Sequence, residues 1–155
     1  TLVSLSSAPT AVRAAAVTYT TLLNSQNDNN VKLIVLERLE SLKGKHSKIL
    51  QELLMDILRA LSSPNPDICK KVLEVAMDIV TSRNVKEVVN TLKREVLKTT
   101  EENDSSTEAK GMLYRNMLIR AIHGCAVRFP DVAESVVHTL MDFISTDGGM
   151  QVVIF

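Results

Sequence analysis

The stretch RNVKEVVNTLKRE, Arg83 to Glu95, decides how this chain folds. Val85, Val88, Val89 and Leu92, with Val96 just beyond, recur at the three-and-four spacing of one helical face, while Lys86, Glu87, Asn90, Lys93 and Arg94 fall on the other. The spacing predicts a helix with one buried side and one wet side. Asn84 is placed to cap its first turn, and Glu87, three residues on, to return a bond to the Asn84 amide. Such a cap contributes about 1 kcal/mol. Each of the aliphatic side chains, fully buried, contributes roughly 1.5 to 3 kcal/mol, so packing outweighs capping. No group in this stretch can do chemistry alone. What it is for depends on how many such helices the chain holds and how they stack.

Working outward, seven segments of this kind can be read. The first runs from about Thr10 to Leu23, with a modest apolar set of Ala11, Val12, Ala15, Ala16, Tyr19, Leu22 and Leu23. Polar NSQNDNN ends it, Asn30 is placed to cap VKLIVLERLESLK, and Gly44 supplies that helix with a stop. Its stripe of Val31, Leu33, Ile34, Val35, Leu36, Leu39 and Leu42 is wide enough for an inner helix. HSKILQELLMDILRAL follows with Ile49, Leu50, Leu53, Leu54, Ile57, Leu58 and Leu61 in phase. SSPNP breaks it, and Asn65 with Pro66 opens a fourth helix bearing Ile68, Val72, Val75, Ala76 and Ile79. The Arg83–Glu95 helix is fifth. TTEENDSSTEA then reads as a flexible surface loop, about residues 100–109. The sixth helix carries Tyr114, Leu118, Ala121, Ile122, Cys125 and Phe129 up to Pro130. Asp131 and Glu134 make a second capping box for the seventh, with Val132, Val136, Val137, Leu140, Phe143 and Ile144 inward.

A repeat underlies the series. LLMDIL at Leu53–Leu58 returns as TLMDFI at Thr139–Ile144, with Leu140 lying 86 positions after Leu54, which fits two units of 43. Alternate helix starts fall roughly 36 to 47 residues apart, the period of two-helix HEAT-type units. A helical hairpin of this kind cannot bury its face alone, so neighbours stack and share a core. The fold class read from the pattern is all-α, a HEAT-type α-solenoid of stacked antiparallel helix pairs, with residues 1–155 forming a single segment of it.

Composition agrees. The 155 residues are 45% hydrophobic and 23% charged, a composition that buries a core, and only 3% aromatic, with 5 Gly and 4 Pro lying mostly between periodic segments. Lys+Arg and Asp+Glu both number 18, so no global field draws nucleic acid or anionic lipid. Cys69 and Cys125 stand far apart, outside any metal-ligand spacing, as expected of reduced thiols in the cytosol. No apolar run approaches the roughly 20 residues that span a bilayer. The chain opens at Thr1 without a methionine and closes on MQVVIF, and is expected to be a piece of a longer polypeptide.

A catalytic site would have to come from three histidines and two cysteines. His123 and Cys125, two apart on a helix, point to different sides and cannot act as a thiolate and base. Cys125 is in phase with Ile122 and Phe129 and reads as a packed thiol. His138 lies between Glu134 and Asp142 at i−4 and i+4; the triplet could hold a metal, but a solvated charge ladder is the ordinary reading. Glu101 and Glu102 sit in the loop, where nothing desolvates them, and Gly148–Gly149 reads as a turn rather than a phosphate cradle. Three basic clusters stand out: Lys43, Lys45 and Lys48 with His46; Lys70 with Lys71; and Lys93, Arg94 and Lys98. In a solenoid such clusters align into a ridge, although each taken singly is a solvated face. No aromatics interleave with them to stack bases. No residue is assigned a catalytic, cofactor, metal or partner-contact role.

Several co-linear strings, TLVSLSSAPTAVRAAA, NDNNVKLIVLERL, MDILRALSSPNPDICKK, SRNVKEVV, LKREVLKT and IHGCAVRFPDVA, together resemble the adaptin-like trunk of the coatomer beta subunits. The likeness covers essentially the whole chain. It implies a non-catalytic scaffold without cofactor in a vesicle coat that serves Golgi-to-endoplasmic-reticulum and intra-Golgi transport. It also implies contact with other coatomer subunits, delta above all, recruitment by an Arf-family small GTPase through the complete trunk, and a cytoplasmic location peripheral to Golgi membranes and vesicles. The trunk of a clathrin-adaptor-type complex, or another HEAT-repeat transport scaffold, is the alternative.

Overall fold

The computed structural model describes residues 8–101 and 108–146, with side chains placed at 8–99 and 111–142. Among them every regular element is helical: α1 (Pro9–Ser25), α2 (Asn29–Leu58), a 3-10 turn (Arg59–Ser62), α3 (Pro66–Ile79), α4 (Val85–Glu101), α5 (Glu108–Arg128) and α6 (Pro130–Thr146). They gather into two compact units, α1 to α3 with the 3-10 turn in one and α4 to α6 in the other, divided after Val80. The all-α reading stands.

In the first unit α1 packs on α2, and α2 on α3. The helix expected to stop at Gly44 does not stop there. Gly44 keeps out of the left-handed region that a glycine C-cap uses, and the break falls at His46, where φ is −129° and ψ 34°. The second and third expected helices are thus two halves of one kinked element. Val35, Leu36, Leu39 and Leu42 are buried before the kink, and Ile49, Leu50, Leu54, Ile57 and Leu58 after it. Leu53 is only half-buried and Ile34 stands 54% exposed, so the expected stripes are wider than the buried ones.

Caps differ in telling ways. Asp28, not Asn30, caps α2: its extended backbone lets its carboxylate accept the Asn30 N–H at 2.8 Å. At α3 the expectation holds, with Asn65 Oδ1 accepting from Asp67 N at 2.9 Å and Ile68 N at 3.4 Å, and Pro66 as the first helical residue. Ile68, Cys69, Val72, Leu73, Val75, Ala76 and Ile79 are all buried, so α3 is enclosed on more than one side. The one buried hydroxyl of α1, Thr20, donates back to the carbonyls of Ala16 and Val17 and enters the core satisfied.

In the second unit α4 packs on α5, α5 on α6, and α4 also touches α6. The whole expected face of α4 is buried: Val85, Val88, Val89, Leu92 and Val96 are each 4% exposed or less. Its cap differs from the expected one. Asn84 does not cap forward; its Oδ1 accepts the Thr81 N–H at 2.7 Å, while Val85 N donates to the Thr81 carbonyl at 2.9 Å. Asn84 keeps the position before α4, its carbonyl accepting from Val88 N at 3.0 Å, but its side chain turns back to the Thr81 amide instead of satisfying the first helical amides. Leu118, Ile119, Ala121, Ile122 and Cys125 of α5 meet Val132, Val136 and Leu140 of α6 in the interior, whereas Val137 is 56% exposed against expectation. Pro130 preempts the Asp131–Glu134 box. Lacking an N–H, it serves as the first residue of α6, and Asp131 lies inside the first turn, where its charge favours the helix dipole. The interior of the expected loop at 100–109, like Gly148, Gly149 and MQVVIF, lies outside the described residues; α4 extends to Glu101 and α5 begins at Glu108.

Placing an uncompensated carboxylate on the buried face of α4 tests the core directly. Val89→Asp is expected to destabilise the second unit by more than about 3 kcal/mol, whereas Lys86→Ala on the wet face stays within roughly 0.5 kcal/mol of the parent; thermal melts of the two variants compare them.

Candidate functional site

Reactive chemistry finds little footing in the described residues. Cys125 is fully buried, and desolvation pushes its thiol up to about 11, against a small opposing pull from Arg128. Such a thiol is the wrong species for a nucleophile. Cys69 is also a buried thiol, its Sγ 3.3 Å from the Ser63 carbonyl and 3.6 Å from that of Leu61, so it ties α3 to the turn before it. His123, half-buried on α5, and His138, exposed on α6 with Glu134 and Asp142, occupy separate helices. Among the described residues no three His, Cys, Asp or Glu side chains converge as a metal site.

The basic clusters resolve into two kinds. Lys43 and Lys71, from different clusters, are drawn together across the α2–α3 seam by Glu40, which accepts from Lys71 Nζ at 2.5 Å and Lys43 Nζ at 3.4 Å. Asp78 takes Lys43 at 2.5 Å and Glu74 lies 4.0 Å from Lys71. Glu40 sits below its ordinary carboxylate value, chiefly through the Lys71 hydrogen bond and against a desolvation cost, and both lysines are raised by their carboxylates. These charges clamp two helices rather than forming a ridge. Arg13 of α1 similarly forks onto Glu52 of α2, and the Asn24 amide donates to the Asp56 carbonyl at 2.9 Å. The fork is open to water and weak by that measure, but it fixes register.

The third cluster behaves differently. Lys98 pairs with Glu95 at 2.6 Å, three residues back on α4. Arg83, Lys86, Lys93 and Arg94 pair with no carboxylate among the described residues. Arg83, Lys86 and Arg94 are exposed and Lys93 is half-buried beside them, on the side of α4 away from the centre of its valine face. The cross-helix pairs were invisible in sequence because their partners stand 31 to 39 residues apart, and so was the near-complete burial of Arg115 at 7% exposure. The wet face of α4 was legible, since local periodicity alone sets it.

Comparison with known proteins places these surfaces in context. The family model described as "Adaptin N terminal region" matches residues 1–153. The chain is 57% identical over its whole length to coatomer subunit beta-2 of Arabidopsis thaliana and 51% identical to coatomer subunit beta of Dictyostelium discoideum. Over 94% of its length it is 52% identical to coatomer subunit beta of Rattus norvegicus. In each case it spans about one sixth of the relative, 15 to 17% of that protein's length.

Two outcomes follow from the geometry. Neither cysteine is expected to react with a disulfide reagent near neutral pH until the protein unfolds, because both thiols are shut away from water; a colorimetric thiol assay with and without denaturant measures this. For Glu40, the folded-state pKa lies below its ordinary 4.5, so the unfolded chain takes up the proton first as pH falls. Its contribution is fully present above about pH 4.5 and fades as pH drops through the folded value. The stability gap between the parent and Glu40→Gln should narrow correspondingly in urea titrations run from about pH 7 to about pH 3.

Proposed function

The chain belongs to the adaptin N-terminal region family, and from that premise we propose that it is a stretch of the helical trunk of a coatomer beta subunit. Its work there is to hold shape and offer surface. The observation that carries the reading is identity of 51 to 57%, end to end, to coatomer beta subunits of a plant and an amoeba. A shared helical periodicity alone would fit a clathrin-adaptor trunk equally well; identity at this level across so long a stretch favours coatomer.

The physical features fit a scaffold. Most of the aliphatic side chains described are buried between helices, the thiols are buried, and the ion pairs at Glu40 and Glu52 join one helix to another. That is an arrangement for rigidity. Within the coat, the trunk would meet other coatomer subunits, with delta as the principal neighbour, and an Arf-family GTPase would bring the whole assembly to Golgi membranes for intra-Golgi and Golgi-to-endoplasmic-reticulum transport. No described helix is long and apolar enough to cross a membrane, which fits attachment through the coat.

Affinity purification of the full-length parent protein from cytosol, with mass spectrometry of what accompanies it, tests the reading. Coatomer subunits in stoichiometric amount, delta prominent, are the expected result. Clathrin-adaptor subunits or nuclear transport factors in their place would overturn the coatomer assignment.

A further inference from the structure

The wet face of α4 carries an excess of positive charge that no carboxylate among the described residues pairs with. Arg83, in the turn entering the helix, and Lys86, Lys93 and Arg94 fall within one side of it, where Glu87 is the facing exposed carboxylate; Glu95 is taken by Lys98. At 1.5 Å per residue, Arg83 to Arg94 covers about 16 Å. Asn90 lies between them, and Leu97, 45% exposed, extends the same face by one turn. The seam between α2 and α3 makes the contrast: there lysines of comparable position are met by Glu40, Asp78 and Glu74.

Three kinds of anionic partner would answer such a face, and two fit poorly. A membrane surface rewards a helix that can sink an apolar side into it, but the apolar side of α4 is already buried in the core. Nucleic acid is gripped by basic grooves with aromatic stacking platforms, and the face has no aromatic residue. An acidic protein segment fits best. Carboxylates along a segment lying beside α4 would meet cations spread over about three turns of it, the two arginines can fork onto them, and Leu97 offers an apolar contact at the edge.

We propose that the face formed by Arg83, Lys86, Lys93 and Arg94 docks an acidic segment of a partner protein in the assembled coat, an inference that rests on the scaffold reading above. Exposed charge pairs are individually weak, so the four act together, and their effect is expected chiefly on partner choice and association rate.

The test uses the full-length subunit with Arg83→Glu, Lys86→Glu, Lys93→Glu and Arg94→Glu combined, beside a milder version in which all four are changed to Gln. Retention of each coat subunit in affinity purification is compared with the parent, and a carbodiimide coupling experiment maps which carboxylates lie against Lys86 and Lys93. Support is a loss of roughly tenfold or more in one partner subunit in both versions, with melting unchanged in the Gln version and the parent's couplings falling in an acidic segment of that same subunit. Unchanged retention of every subunit, or couplings confined to carboxylates of the same chain, overturns the proposal while leaving the coat assignment intact. Loss of flotation with phosphatidylserine vesicles, with subunit retention unaltered, would also overturn it, in favour of a lipid surface. If the parent itself brings down no coat subunits, the underlying assignment fails first.

Discussion

A row of valines on one side of a helix has no stable place in water. Everything in this chain depends on that constraint. Val85, Val88, Val89, Leu92 and Val96 leave α4 with an aliphatic strip along its length, and only another helix can cover it. α5 and α6 do so, and each in turn carries its own strip. The second unit is thus a set of mutually dependent surfaces, and polar interactions are arranged around that dependence: buried hydroxyls bond to their own helix, as Thr139 does to the Ser135 carbonyl, and the described charges other than Arg115 stay out of the core.

Where polar groups do more than decorate, they set direction. Glu40 reaches Lys71 and Lys43 reaches Asp78 across the α2–α3 seam, so these pairs report on whether the two helices are in register; slide one helix by a turn and both are lost, while the Glu40–Lys43 pair within α2 survives. Arg13 and Glu52 perform the same service between α1 and α2. Hydrophobic burial is indifferent to small slips, since one aliphatic side chain replaces another at little cost, whereas a forked or short ion pair is not. Packing holds the helices together, and the pairs choose among the ways they could be held.

The fold was largely legible in the sequence because its elements are built from local periodicity. The face of α4 came out residue for residue, every expected residue of α3 is buried with Cys69 and Leu73 added to them, and the Asn65 cap stands. What failed had a common cause: competition between adjacent residues able to do the same job. Asp28 took the cap from Asn30, the Thr81 amide drew the Asn84 side chain back from its forward bond, and Pro130 displaced Asp131, each one to three residues from the expected position. Spacing identifies such candidates without ranking them, because backbone dihedrals decide which one can reach. Gly44 failed for a related reason, since a glycine permits a left-handed stop without requiring one. The candidate surface divides in the same way. Its α4 face is local and readable, while the pairing that removed Lys43 and Lys71 from the list of available cations spans more than thirty residues and left no local trace.

The joint between α5 and α6 consists of Phe129 alone: α5 ends at Arg128, α6 begins at Pro130, and Phe129 N donates to the Cys125 carbonyl while its own carbonyl accepts from Val132. A hinge this short has no slack. One residue gained or lost within the first turn of α6 would swing the rest of the helix by about 100° and carry Val136 and Leu140 off the core. The segment is therefore a place where natural selection can exchange side chains but can hardly tolerate insertions or deletions, and changes in chain length in this half of the molecule are steered to other joints.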